Sequence, residues 1–336
     1  MPRYARAVSE DELLALVLEA RPHLIRASTE TEAYLSRLER RHDELNELVE
    51  RLFRDDSAAA ADACGTLWSF WWERGHMSEG RGFLERAVAL DGIERAPVLK
   101  GLGTLAFRQG DLETAERAFR ERYELVDSPV ERADACTDLA RVALRRGNFA
   151  EVRRWADVGY EAAEGLEDPG AIRLPLHMRA AAARMEGRYD EARELYLRSI
   201  ELNEQLGNAA NIAGEHHNLV HVELRSGNRA EAGRRFAAAS EWIFANGNEY
   251  LRPYVFLDAG VLALHDGDDE RACRLVACAD RIFRETDSIP DPDDCVELEE
   301  AVAKSRDRLG DRFDAVWAEG RALSEPAAQE LARPHR

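Results

Sequence analysis

The sequence predicts an all-α fold, a solenoid of about six stacked helical hairpins with capping helices at both ends. Three observations predict it. Glycine recurs at Gly75, Gly110, Gly147, Gly187, Gly227 and Gly267, in steps of 35, 37, 40, 40 and 40 residues, a period that belongs to stacked helical repeats. Each glycine opens a related phrase, among them QGDLETAERAF, EGRYDEARELY and SGNRAEAGRRF. The apolar residues around it follow helical rather than alternating spacing, as in Ile212, Leu219, Val222 and Leu224 before Gly227, and Ala232, Phe236 and Ala239 after it.

Residues 1–55 are expected to cap the array. Helices are predicted over 9–27 and 29–53, the first opened by a capping box between Ser9 and Glu12, the second carrying the apolar rhythm of ELNELVERL. The repeats are placed at 56–286. In each hairpin the glycine ends the first helix, because it can take the positive φ that lets the chain reverse. Five residues on stands a small side chain that lets the paired helix approach: Gly80, Ala115, Ala192, Ala232 and Ala272, with Val152 as a variant. Nine residues on stands a filler: Leu84, Phe119, Tyr196, Phe236 and Val276, with Ala156 beside Trp155 in the third repeat. Trp68, Phe70, Trp71 and Trp72 are expected to pack between the N-terminal cap and the second repeat. Residues 287–336 close the array. SIPDPDD reads as an acidic, proline-broken turn, followed by helices near 296–308 and 311–323 and a frayed ARPHR end.

The bulk properties exclude several functions. A net charge of −19 argues against duplex nucleic acid and anionic membranes as direct partners, since both need a cationic footprint. Five cysteines without paired spacing do not form a disulfide framework or a zinc motif. The start, MPRYARAVSEDELL, lacks an apolar signal core, and a soluble cytoplasmic protein is expected. No GxxxxGK[ST] phosphate loop, nucleophile elbow or paired acid and base occurs, so no enzyme and no cofactor are predicted.

These spacings, with the Leu102-Gly103 dipeptide ahead of Gly110, resemble the tetratricopeptide repeat (TPR) family over about six repeats, which implies a right-handed superhelix. The periods of 37 and 40 residues exceed the family's common 34, and the usual proline between repeats is missing. A narrower resemblance, carried by LERRHDELNELVERL, LWSFWWERGHMSEGRGFLERAVAL and DRFDAVWAEGRALSEPAAQELA, is to the C-terminal sensor segment of large ATP-binding bacterial regulators of the LuxR and streptomycete antibiotic-regulator types. The ATPase and DNA-binding motifs of those regulators are absent, so the chain reads as their sensor module standing alone.

By resemblance to TPR proteins, positions ten, six, three and two before each inter-helix glycine line a groove. They supply Trp72, then Lys100, Thr104, Phe107 and Arg108, then Thr137, Arg141 and Arg145. The later repeats supply His177 and Arg184, then His217, His221 and Arg225, with Asn218, Tyr254 and Asp258 alongside. The groove is therefore expected to be cationic inside an acidic protein, and to hold an acidic peptide or a C-terminal carboxylate through the planar fork of arginine. A small anionic ligand is the alternative partner. A metal or haem on the His177, His217 and His221 group is a weaker one, because equivalent positions on successive repeats stand a helix-packing distance apart. Pairing of these arginines with acids of neighbouring helices is the competing, purely structural reading.

Overall fold

The structure, a computed structural model, describes residues 2–25, 30–166, 168–286 and 289–333, and every regular element among them is helical. The predicted frayed end lies outside the described residues from 334 onward, as does Ser288 of the acidic turn. The chain divides into two compact units, Met1–Asp127 and Ser128–Arg336, a division that falls inside the repeat array.

The repeat phrase acts as one device. All six glycines take positive φ, between 69° and 82°. The residue after each then donates its backbone N–H to a carbonyl five residues back, as in Asp111 to Ala106 at 2.9 Å, Asn148 to Ala143 at 2.9 Å and Asn228 to Glu223 at 2.8 Å. This is the Schellman closure, which satisfies a carbonyl that the helix end leaves unpaired. In several repeats that same residue caps the next helix: Asp111, Asn148 and Asp268 accept from the backbone N–H groups of Thr114, Glu151 and Arg271. Glycine followed by Asp or Asn thus ends one helix and starts its partner.

The first unit holds α1 (Pro2–Ile25), α2 (Thr31–Glu39), α3 (His42–Asp55), α4 (Ser57–Glu73), α5 (Met77–Val88), α6 (Arg95–Arg108) and α7 (Leu112–Leu125). The helix expected over 29–53 is two, because the chain breaks at Arg40–Arg41, where Arg41 has φ −122° and ψ 24°. The helix expected from Ser9 is α1, whose bounds are Pro2–Ile25. One core runs from Leu13, Val17 and Leu38 to Leu67, Trp71 and Leu105. The small position at Gly80 acts as expected, since a Cβ there would stand 2.4 Å from the Trp71 ring, and Gly103 makes similar room, a Cβ there standing 2.3 Å from Phe119.

The second unit holds the hairpins α8 (Pro129–Arg145) with α9 (Phe149–Glu164), α10 (Pro169–Met185) with α11 (Tyr189–Gln205), α12 (Ala209–Arg225) with α13 (Arg229–Asn246), and α14 (Arg252–His265) with α15 (Asp269–Glu285). It ends in α16 (Pro292–Leu309), a 3-10 turn at Gly310–Arg312, α17 (Phe313–Arg321) and α18 (Glu325–Ala332). The last helix is absent from the sequence prediction. The fillers Tyr196, Phe236 and Val276 are buried, each worth about 2 kcal/mol as apolar area removed from water. Four cysteines are buried and Cys295 is half-buried, all as free thiols. Burial pushes the Cys64 thiol up to about 12, as suits an inert core position. No helix among the described residues is long and apolar enough to cross a membrane.

Candidate binding site

The predicted groove positions of the second unit lie on α8, α10, α12 and α14, the first helix of each hairpin. Across them runs α16, which touches α8 at one end of the series and α14 and α15 at the other. Its acidic residues are spaced so that one helical face carries Asp293, Asp294, Glu297 and Glu300. That face meets the basic positions of the repeats.

Arg184 is the centre of the meeting. It is 3% exposed and donates to Asp293 Oδ2 at 3.0 Å, Asp294 Oδ1 at 3.1 Å and Asn218 Oδ1 at 2.9 Å. His217 holds Asp258 through Nδ1 at 2.8 Å. Its Nε2 lies 3.1 Å from Asp294, close enough to pair charges though misaligned for a hydrogen bond. His221 Nε2 lies 2.9 Å from Asp258, and its Nδ1 lies 3.6 Å from Glu297. Arg225 reaches Glu297 at 3.0 Å and Glu300 at 2.8 Å. One repeat earlier, His177 Nδ1 sits 3.0 Å from Glu215, which also accepts the Ser199 hydroxyl at 2.5 Å. Arg145 donates to the Pro290 carbonyl at 2.9 Å.

Burial alone would depress these imidazoles, yet Asp258 and Asp294 hold His217 well above its ordinary 6.5, and Glu297 raises His221. His177 is raised in the same way by Glu215. On the acid side, burial opposes ionisation, but His217 and Arg184 hold Asp294 low, and His221 and Arg184 hold Glu297 low. Asp293 goes the other way: burial and the Asp294 charge raise it.

Beside this network opens a cavity of about 180 Å³, lined by Arg141 of α8, Arg173 and His177 of α10, Asn211 of α12, and Asp291 and Asp293 at the start of α16. Arg141 and Arg173 are half-buried, and among the described residues neither makes a hydrogen bond or an ion pair. Burial lowers the Arg173 pKa, and the Arg141 charge adds to that, although Glu215 opposes it. Tyr250 donates its hydroxyl to Asp291, whose backbone N–H donates to the Tyr254 hydroxyl at 3.0 Å.

With the geometry in place, solved structures show the same frame. A Rap protein complexed with Competence and Sporulation Factor matches with a TM-score of 0.60 at 15% identity, over 98% of this chain and 97% of that one. A tetratricopeptide repeat protein from Parabacteroides merdae matches at 0.53 and 14%, over 80% and 96%. The fold is a TPR-like helical solenoid. The apo form of RapI adds a TM-score of 0.51 at 12% identity, over 95% of this chain and 96% of that chain. No family model and no curated protein matches the chain by sequence.

In this TPR-like frame the predicted groove residues separate. Arg184, His217, Asn218, His221 and Asp258 do not form an open cationic wall: all are buried, and Arg184, His217 and His221 meet carboxylates, either Asp258 itself or those of α16. Arg225 and Arg145 are also engaged by that segment. Thr137 returns its hydroxyl to the Ala133 carbonyl of its own helix at 3.0 Å. Tyr254 is buried, with its hydroxyl turned toward Asp291. In the first unit, Thr104 bonds to the Lys100 carbonyl at 2.8 Å, Phe107 is buried, and Arg108 stacks over Trp72 with 4.9 Å to the ring centre. Of the predicted groove residues, Arg141, His177, His217, Asn218 and Tyr254 line the cavity. Arg173, Asp291 and Asp293 were not foreseen.

The histidine trio does not assemble either, since His177 goes to Glu215 while His217 and His221 share Asp258. The donor atoms of His217, His221 and Asp258 do lie within 4.8 Å of one another, as do those of His42, His76 and Glu79 in the first unit. The separations of 2.8 and 2.9 Å to Asp258 are those of hydrogen bonds. In the second group the two imidazoles are stacked at 3.9 Å and 11°, so their in-plane lone pairs do not converge on one point.

Proposed function

We propose that the chain is a non-enzymatic binding protein that holds an anionic segment of a peptide or protein partner in the Arg141–Arg173 cavity of the second unit. The observation that carries this reading is the pair of half-buried guanidinium groups that, among the described residues, make no hydrogen bond or ion pair, while Arg184 and Arg225 beside them are bonded to carboxylates. Two like charges partly withdrawn from water repel each other, and an oxyanion between them relieves that repulsion with charge-assisted hydrogen bonds. The Rap protein of related fold was solved with a partner bound, which supports a binding role for this frame. The likeness to bacterial regulator sensor segments supports a regulatory setting in the cytoplasm. A small anionic ligand is the second reading, favoured by the modest cavity volume of about 180 Å³.

The test is selection from a random peptide library with free C-termini, with counter-selection on the Arg141→Ala/Arg173→Ala double variant. Sequences that bind the unaltered protein at least about tenfold more tightly than the variant are expected, the equivalent of one lost charged hydrogen bond. Equal retention by both proteins would falsify the assignment of the site.

A further inference from the structure

The cavity carries charge of both signs, and neither sign is fully answered. The cations come from α8 and α10, as Arg141 and Arg173. The carboxylates come from the start of α16, where Asp293 gives only Oδ2 to Arg184, at 3.0 Å, and has Asp294 next to it in sequence. Burial first, and the Asp294 charge second, push its carboxyl above the ordinary range, although Arg184 opposes them. A simple anion would answer the two guanidinium groups and add to the surplus at Asp293. A simple cation would do the reverse. A ligand with both charges a short distance apart answers both.

Size narrows the ligand further. A cavity of about 180 Å³ lies below the ~300–1,000 Å³ of sites that engulf a drug-sized molecule, so it takes one or two residues. Asn211 and Asn248 also line it, and their side-chain amides suit a peptide backbone.

We infer that the cavity binds a dipolar chain end, with a carboxylate held by Arg141 and Arg173 and an ammonium or guanidinium held by Asp293, the two lying within one or two residues of each other. This rests on the binding reading above and names the chemistry of its ligand. A free C-terminus carrying a basic side chain has that chemistry, and so does a free N-terminus carrying an acidic one.

Four synthetic peptides titrated by calorimetry test the inference. Acetyl-Gly-Gly-Arg with a free carboxylate and Glu-Gly-Gly amide with a free amine each carry both charges. Acetyl-Gly-Gly-Arg amide carries only the cation, and acetyl-Gly-Gly-Ala only the anion. At least one dipolar peptide is expected to bind about tenfold or more tightly than either singly charged one, and which of the two does so identifies the chain end. Asp293→Asn is expected to abolish that advantage by weakening the dipolar peptide and tightening acetyl-Gly-Gly-Ala, whose binding shows that the cavity is still formed. If acetyl-Gly-Gly-Ala binds as tightly as the dipolar peptides, the dipolar inference is wrong and the anion site stands. If no carboxylate-bearing peptide binds and Arg141→Ala/Arg173→Ala changes nothing, the binding reading falls as well.

Discussion

Arg184, Arg141 and Arg173 are the same side chain with opposite fates. Arg184 is enclosed by Asp293, Asp294 and Glu297, and its removal leaves three buried carboxylates without it. Breaking a buried ion pair from one side costs about 3–5 kcal/mol, so Arg184→Ala should lower the urea midpoint strongly. Arg141→Ala and Arg173→Ala remove a mutual repulsion and no hydrogen bond, with only the Coulomb pull of Glu215 on Arg173 lost, and should stay within about 0.5 kcal/mol of the unaltered protein. Equal losses for all three would show that the cavity arginines are structural. The repeat offsets placed Arg141 and Arg184 on the same groove and gave no means to tell them apart. What separates them is a carboxylate 109 residues further along the chain, and that contact depends on where α16 lies. Arg173 was missed because it stands one turn before His177, outside the offsets that carry the family resemblance.

At the scale of elements, local chemistry made most of the fold legible. The glycine turns, the Asp and Asn caps and the small-then-bulky spacing depend only on neighbours in sequence, and the helices they delimit appear where expected. Gly227 has φ of 80°, so Gly227→Ala should cost about 1 kcal/mol through its backbone alone. Gly103 is a packing case, because its missing Cβ makes room for the Phe119 ring. Gly103→Ala should destabilise by about 1–3 kcal/mol, and Phe119→Leu should recover part of that loss in a double-mutant cycle. Additive effects of the two substitutions would rule out the contact as the cause. The failures are equally physical. The α2–α3 break has no glycine or proline to announce it, and α16 read as an end cap because its length and apolar spacing suit one. Its acidic face at 293, 297 and 300 was visible as a pattern, but only the fold shows which cations it meets.

The whole molecule carries a net charge of −19, and its second unit buries the carboxylates Glu215, Asp258, Asp294 and Glu297 against three imidazoles, His177, His217 and His221, as well as against arginine. Burial opposes a proton on His177, His217 and His221, but those carboxylates outweigh it and raise all three. An imidazole whose pKa is higher folded than unfolded lends stability that is complete below about 6.5 and drains away as the pH rises toward the folded value. Over that window each such histidine removes about 1.4 kcal/mol per pH unit. Asp294 and Glu297, held low in the fold, lend stability that is present above their unfolded values of 3.8 and 4.5 and lost in acid below them. Thermal unfolding should therefore show greatest stability between about pH 5 and 6.5, with a fall on both sides. In a His217→Gln/His221→Gln variant the midpoint should be lower at pH 6 and its decline toward pH 9 much shallower, because the protons that drive the decline are gone. A profile that is flat from pH 5 to 9 in the unaltered protein, or equally steep in the variant, would mean that the histidines are neutral and that α16 is held by the arginines alone.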